Sequence, residues 1–263
     1  MVSNKDNHND SNVPTESSRE IKNLDILSNE DLLKKITSNI TNNKISIQNI
    51  EKFLFLKIPE NQLLMSNIHI HKRCFNPINS ENDNMKIYHY EMEILSNIYI
   101  VIIGKIVKNS TCLKINLYST NNHQKYKYIG KIVSNIFRTE FNVYIGKKDS
   151  YKKILFIKYA TNFLGLFGIR IMNVEIINDE NKIEYKNQLP IFSKIYQKYF
   201  MNFNQRVRLT SKKNFILENK NGNKVIQCGK IDKNTYALDF ESLSPIQAFS
   251  ISITSIINKI FCE

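Results

Sequence analysis

The chain has 263 residues, 42% of them hydrophobic and 11% aromatic, and a formal net charge of +13. That apolar content argues against a wholly disordered chain, and the length suits one large domain, or one domain with an appendage. With only seven glycines and no glycine-rich loop, a nucleotide-phosphate cradle is not expected.

The charge is unevenly placed. Residues 1–85 carry a net −1 and residues 86–263 a net +14, so the positive field belongs to the C-terminal part. Such a surface attracts polyanions, either nucleic acid or the anionic cytoplasmic leaflet of a membrane. The opening residues Met-Val-Ser-Asn-Lys-Asp-Asn-His lack the apolar run of a signal peptide, which sets the expectation of a cytosolic address. Cys74, Cys112, Cys228 and Cys262 show no paired spacing and read as reduced thiols.

Residues 1–20 are polar and charged and read as a disordered tail. Residues 21–75 read as a short helical segment. Ser28 and Asp31 resemble a capping box, Leu32, Leu33, Ile36 and Ile40 share one helical face, and a second run from Ile45 to Leu56 continues the pattern toward Pro59. Too small to bury much alone, this segment is expected to dock on the main domain or to bind a protein partner. Residues 76–85 read as a linker.

From Lys86 the hydrophobic period becomes two. Strands are expected at 87–94, 98–103, 113–118, 126–133, 140–145, 154–159, 170–177, 199–204, 214–218, 224–229 and 235–239, punctuated by Gly, Asn, Asp and Ser. Short connections make them largely antiparallel, and closure into a barrel would remove the sheet edges. The last stretch, Ser244–Glu263, has no charge between Glu241 and Lys259. Ser244 suits an N-cap and Pro245 the first helical position. Ile246, Phe249, Ile253, Ile256, Ile257 and Ile260 then follow helical spacing, while Ala248, Ile251 and Phe261 make the opposite side apolar. A helix apolar nearly all round must be enclosed. It is shorter than the ~20 apolar residues needed to span a bilayer and carries Gln247 and Asn258. The expected fold is mainly β with α: a closed antiparallel barrel with this helix inside.

Residues 86–263 resemble the tubby C-terminal domain family. The resemblance rests on Tyr128-Ile-Gly-Lys131 with Ser134-Asn135 and Phe141-x-Val143-Tyr144; on Tyr159-Ala-Thr-Asn162 with Leu164-Gly165, Gly168, Arg170 and Met172; on Asn202-Phe203, Arg206-Val207, Ser211 and Lys213-Asn214-Phe215; and on Gln227, Gly229, Asp239-Phe240, Gln247-Ala248-Phe249 and Cys262-Glu263. The resemblance implies a closed twelve-stranded barrel threaded by the C-terminal helix. It also implies no catalytic activity, no cofactor, and a basic pocket on the outside of the barrel for phosphatidylinositol bisphosphate. Within that pocket it assigns Lys131 as a phosphate ligand. The family's Arg two residues on is replaced by Val133, on the same strand face. A further family Arg falls near Tyr151, beside Lys152 and Lys153, and a family Asn near Cys112. Lys152, one residue displaced, and Arg138, Lys147 and Lys148 in nearby turns are therefore the candidate replacements.

Other constellations are weaker. His69-Ile-His71 with Cys74 lacks a fourth ligand and the spacing of a zinc site, so no metal is expected. No nucleophile elbow or triad is present, and no catalytic residue is assigned. Arg170 reads as structural. The resulting expectation is a monomeric, non-enzymatic adaptor bound peripherally, through phosphoinositide or other anionic headgroups, to the inner face of the plasma membrane or another phosphoinositide-bearing membrane. The alternative is a nucleic-acid-associated regulator, nuclear in part, whose stacking surface would be His123-Gln-Lys-Tyr-Lys-Tyr128. A further alternative, a scramblase-like protein, requires the terminal helix to enter lipid.

Overall fold

A computed structural model describes residues 47–72, 86–94, 97–107, 111–121, 125–147, 150–160, 171–178 and 182–257. The expected tail 1–20 and linker 76–85 lie outside the described residues, as do Asn162, Arg170 and Cys262. The protein is mainly β. Fourteen strands and two helices are described, and twelve of the strands form one antiparallel sheet ordered β1-β14-β13-β12-β9-β8-β7-β6-β5-β4-β3-β2. A β1–β2 ladder, in which Ile68 faces Tyr90, joins the two ends of that order and closes the barrel.

The strands are β1 (Leu64–Lys72), β2 (Lys86–Ile94), β3 (Asn97–Val107), β4 (Lys114–Thr120), β5 (Tyr126–Ser134), β6 (Glu140–Ile145), β7 (Lys152–Tyr159), β8 (Met172–Ile177), β9 (Lys182–Asn187), β12 (Phe215–Glu218), β13 (Lys224–Asp232) and β14 (Thr235–Phe240). A separate two-stranded hairpin, β10 (Ile191–Ser193) with β11 (Lys198–Phe200), lies between β9 and β12 in sequence. Alternation sets each strand's faces. In β4, for example, Ile115 and Leu117 are buried while Lys114, Asn116 and Tyr118 are half-buried on the other side.

Three expectations need correction. Residues 64–72 are not part of a helical segment but a barrel strand, because Leu64, Ser66, Ile68 and Ile70 alternate with Met65, Asn67, His69 and His71. The domain boundary at residue 86 therefore moves back at least to α1 (Ile47–Phe55), which buries Ile50, Phe53 and Leu54 against the barrel. The expected strand at 199–204 holds a ladder only to Phe200, and in the hairpin rather than the barrel. Positive φ at Asn204 and Gln205 (49° and 60°) ends the extended backbone there. Strand β9 went unpredicted because Lys182, Glu184 and Lys186 outweigh its inward residues Ile183 and Tyr185.

The second helix, α2 (Pro245–Ile257), has twelve of its thirteen residues buried. At its start the Gln247 side chain reaches back and accepts from the Ser244 N–H at 2.9 Å, the N3 half of a capping box. Phe249 and Ile253 lie over Gly104 of β3, Tyr159 of β7 hydrogen-bonds Thr254 Oγ1 at 2.9 Å, and Ser255 donates to the Lys213 carbonyl at 3.0 Å. Burial pushes the Cys228 thiol of β13 up to about 12, so it stays protonated at any physiological pH.

Outside the barrel, the segment after the hairpin is riveted to β13 and β14. Arg206 donates through Nε and Nη2 to Asp239 (3.0–3.2 Å), and Gln227 Nε2 donates to the same carboxylate at 2.7 Å. Beside them, a Cβ on Gly229 would stand 2.3 Å from the Val207 side chain, so only glycine lets this segment lie flat.

Two stability outcomes follow. Phe249→Ala should cost about 3–5 kcal/mol in urea denaturation, because the enclosed helix cannot collapse into the void. Arg206→Ala should cost about 3–5 kcal/mol by leaving buried Asp239 without its counter-charge; a loss below ~1 kcal/mol for either would contradict the packing described.

Candidate functional site

Lys131 lies on β5 between buried Gly130 and Ile132, which turns its side chain to the outer face of the barrel. The turn is fixed by a bulge: Leu117 faces Gly130 but Tyr118 faces Tyr128, leaving Ile129 unpaired. Gly130 is required there, since a Cβ would stand 2.2 Å from the Tyr144 carbonyl oxygen.

The ladders extend the position of Lys131 into a row. Lys105 of β3 faces Asn116 of β4, Asn116 faces Lys131, Lys131 faces Tyr144 of β6, and Tyr144 faces Lys153 of β7. The adjacent row runs Lys114, Val133, Asn142, Phe156. Neither row holds a carboxylate until Glu175 of β8, the ladder partner of Phe156. Directly opposed cross-strand partners lie about 5 Å apart, so lysines from four strands occupy one outer wall.

Aromatic rings set the positions of these lysines. Lys131 Nζ stands 3.7 Å from the centroid of the Tyr151 ring and 5.7 Å from that of Tyr144. Lys105 Nζ lies 5.1 Å from the Tyr118 ring and 5.4 Å from Tyr126, and Lys153 Nζ 4.7 Å from Phe156. Tyr118, Tyr128, Tyr151 and Tyr144 meet edge to face in sequence, with centroids 5.7, 6.5 and 6.4 Å apart. The Tyr128 and Tyr151 hydroxyls are 2.8 Å apart. Burial, then the bond to Tyr151, pushes the Tyr128 hydroxyl above the ordinary tyrosine range. Cation–π contacts hold an ammonium in place without neutralising it. The wall is therefore a set of pre-positioned cations on an uncharged aromatic bed.

The other candidates fall elsewhere. Lys152 is exposed and lines an open depression of about 350 Å³ with Lys127, Lys147, Ser150, Glu51 and Phe55, between α1 and the β6–β7 turn. There Lys127 pairs with Glu51 at 2.6 Å. Tyr128 lines this depression too, so it adjoins the wall, but Lys153 rather than Lys152 shares the face of Lys131. Arg138 sits in the β5–β6 turn at a φ of 57°, a turn bonded through the Asn135 side chain to Thr139 and Glu140. The start of that turn is four residues along β5 from Lys131, or ~13 Å at the rise of a strand. Val133 does stand beside Lys131 on the outer face, yet its ladder partner Lys114 brings a cation to the same row. Cys112 is half-buried just ahead of β4. His69 and His71 stack on β1, and no three metal-ligating side chains meet among the described residues.

The sequence reading missed Lys105, Lys114 and the tyrosine bed. The alternation of Lys114, Asn116 and Tyr118 was visible, but the register that sets them beside Lys131 depends on a bulge one residue wide.

Residues 170–258 match the model of the Tub family. Among curated proteins the chain is similar to Tubby-related protein 3 of Homo sapiens, 30% identical over 178 residues covering 52% of this chain and 40% of that one. It is similar also to Protein king tubby of Drosophila virilis (30% over 172 residues, 52% and 38%) and Protein king tubby 2 of Aedes aegypti (30% over 171 residues, 52% and 42%). The matches thus span about two-fifths of those relatives' lengths.

Stacking on Tyr151 has a spectroscopic signature. In lysine-selective NMR, ring current should move the Lys131 ε-methylene resonance upfield of the other lysines, and Tyr151→Leu should return it. An unshifted Lys131 would contradict the cation–π geometry.

Proposed function

We propose that the chain, similar to the Tub family over residues 170–258, is a tubby-like, non-enzymatic adaptor that binds phosphoinositide or other anionic headgroups on the cytoplasmic face of a membrane. The observation that carries the reading is the wall of Lys105, Lys114, Lys131 and Lys153, drawn from four strands onto one face whose two rows contain no carboxylate until β8. Phosphates carry several acceptor oxygens, and ammonium groups fixed on rigid strands meet them through charge-assisted hydrogen bonds without an ordering cost at the moment of binding. Near an anionic leaflet each such lysine contributes ~1 kcal/mol. Val133 takes away the bidentate arginine contact that the family resemblance implies, so affinity rests more on summed charge and less on headgroup stereochemistry.

In this reading α2 plugs the barrel and leaves ligands only its outside. Because α1 spends its apolar face on the barrel, protein partners are assigned to the part of 21–75 ahead of it.

Nucleic acid is the second reading, favoured by tyrosines interleaved with lysines. The ring packing speaks against it. Lys131 covers a face of Tyr151 and Lys105 lies over Tyr118 and Tyr126, so a stacking base would have to displace a cation at each ring. The scramblase-like reading requires α2 to abandon its bonds to Tyr159 and Lys213. Among the described residues no helix is long and apolar enough to cross a membrane.

Vesicle sedimentation tests the proposal. Binding should rise with phosphoinositide content, and Lys131→Glu, a change of two charges worth ~2 kcal/mol, should weaken it on the order of 30-fold. Val133→Arg should strengthen it about fivefold and sharpen discrimination among phosphoinositide isomers. Equal binding to neutral vesicles would overturn the proposal.

A further inference from the structure

The β10–β11 hairpin exposes more large apolar side chains than its size explains. Its strands are three residues each, with Ile191 facing Phe200 and Phe192 facing Tyr199. Ile195 is 87% exposed, Ile191 77%, Tyr199 69% and Tyr196 67%; Phe192 and Phe200 are also exposed. The rings brace one another rather than the core: Phe192 meets Tyr199 at 5.0 Å and Tyr196 meets Phe200 at 5.6 Å. Two-stranded hairpins are marginal by themselves in water. This one is held at its feet, by the Gln188 N–H on the Ile216 carbonyl (2.9 Å) and by Lys224 Nζ on the Asn202 carbonyl (3.0 Å), next to the Arg206–Asp239 rivet. The result is a braced apolar projection with a rigid base.

Its charge surroundings select the partner. Between Glu184 and Glu218 the sequence contains seven Lys or Arg and no Asp or Glu. Two copies meeting at this hairpin would bring like charges together, whereas an anionic bilayer supplies both countercharge and hydrocarbon. Aromatic and branched aliphatic side chains flanked by lysine are the composition that settles at the headgroup–acyl boundary.

We propose that the β10–β11 hairpin is a membrane-inserting element that buries Ile191, Ile195 and Tyr196 in the interface of an anionic bilayer. This rests on the lipid-binding reading above and adds a second, apolar contact on a different part of the surface from the lysine wall. Insertion works by burial of hydrocarbon, so it depends less on ionic strength than the wall does.

The chain has no tryptophan, so Tyr196→Trp in the full chain creates a sole reporter at the hairpin turn. With vesicles containing phosphatidylserine and phosphatidylinositol bisphosphate, its emission should shift to the blue and be quenched by lipids brominated near the top of the acyl chain. Ile191→Ser with Ile195→Ser should lower vesicle affinity about tenfold, with no change in thermal midpoint and with the sensitivity to Lys131→Glu retained. A water-like tryptophan on protein that does sediment with vesicles would overturn the hairpin proposal and leave the lipid reading standing. Absence of binding to any vesicle would overturn both. A blue shift that grows with protein concentration in the absence of vesicles would assign the hairpin to a second copy of the chain and overturn insertion.

Discussion

Enclosure of α2 is the constraint on which the rest of the molecule depends. Six large apolar side chains of this helix, Ile246, Phe249, Ile251, Ile253, Ile256 and Ile257, are buried. At ~1.5–3 kcal/mol each they represent a gross stabilisation on the order of 10 kcal/mol. A helix with no polar face has no solvent side, so a single packed layer does not satisfy it and a sheet curved fully around it does. Closure of the sheet in turn removes free strand edges, and it leaves the outward-pointing residues of twelve strands as the surface on which function must be built.

That surface is differentiated by what is fixed to it. On one side α1 and the β6–β7 turn frame a depression, and Glu51 neutralises Lys127 there. Across β3 to β7 the two outward rows through Lys131 and Val133 carry four lysines and no acid, and the next carboxylate on that face, Glu140 of β6, pairs with Lys158 at 3.3 Å. Between β9 and β12 the chain leaves the barrel, forms the exposed hairpin, and returns along β13 and β14 under the Arg206–Asp239 pair. Asp239 is 1% exposed in its side chain, and three donors, Arg206 Nε and Nη2 and Gln227 Nε2, converge on it. Removing any one of those donors exposes the cost of a desolvated charge. Arg206-Val207, Gln227, Gly229 and Asp239, far apart in sequence and drawn from two of the blocks of family resemblance, are thus one contact.

Much of the fold was legible because its signals are local. Alternation located ten of the barrel strands, with β6 expected and found at Glu140–Ile145. Ser244, Pro245 and the charge-free run marked α2 to the residue at its start. What failed was the interpretation of mixed signals. In residues 64–72 a period of two is masked by the helical pattern that precedes it and by polar Ser66, Asn67, His69 and His71 within the strand. In residues 199–204 aromatic density imitated a strand, although Asn204 and Gln205 turn the backbone to positive φ. For the site, Lys131 was legible from its block and Val133 from its spacing. Lys105, Lys114 and Lys153 become its neighbours only through ladder register, which two bulges shift and no local pattern encodes.

On the proposed function, headgroups meet the lysines of β3 to β7 and not positive charge in general. Lysine-reactivity footprinting of the full chain, free and bound to phosphoinositide vesicles, tests this directly. Acetylation of Lys105, Lys114, Lys131 and Lys153 should fall on binding while Lys182, Lys220 and Lys233, exposed elsewhere on the barrel, react as before. A uniform loss over all lysines, or protection confined to the second group, would contradict the proposed function.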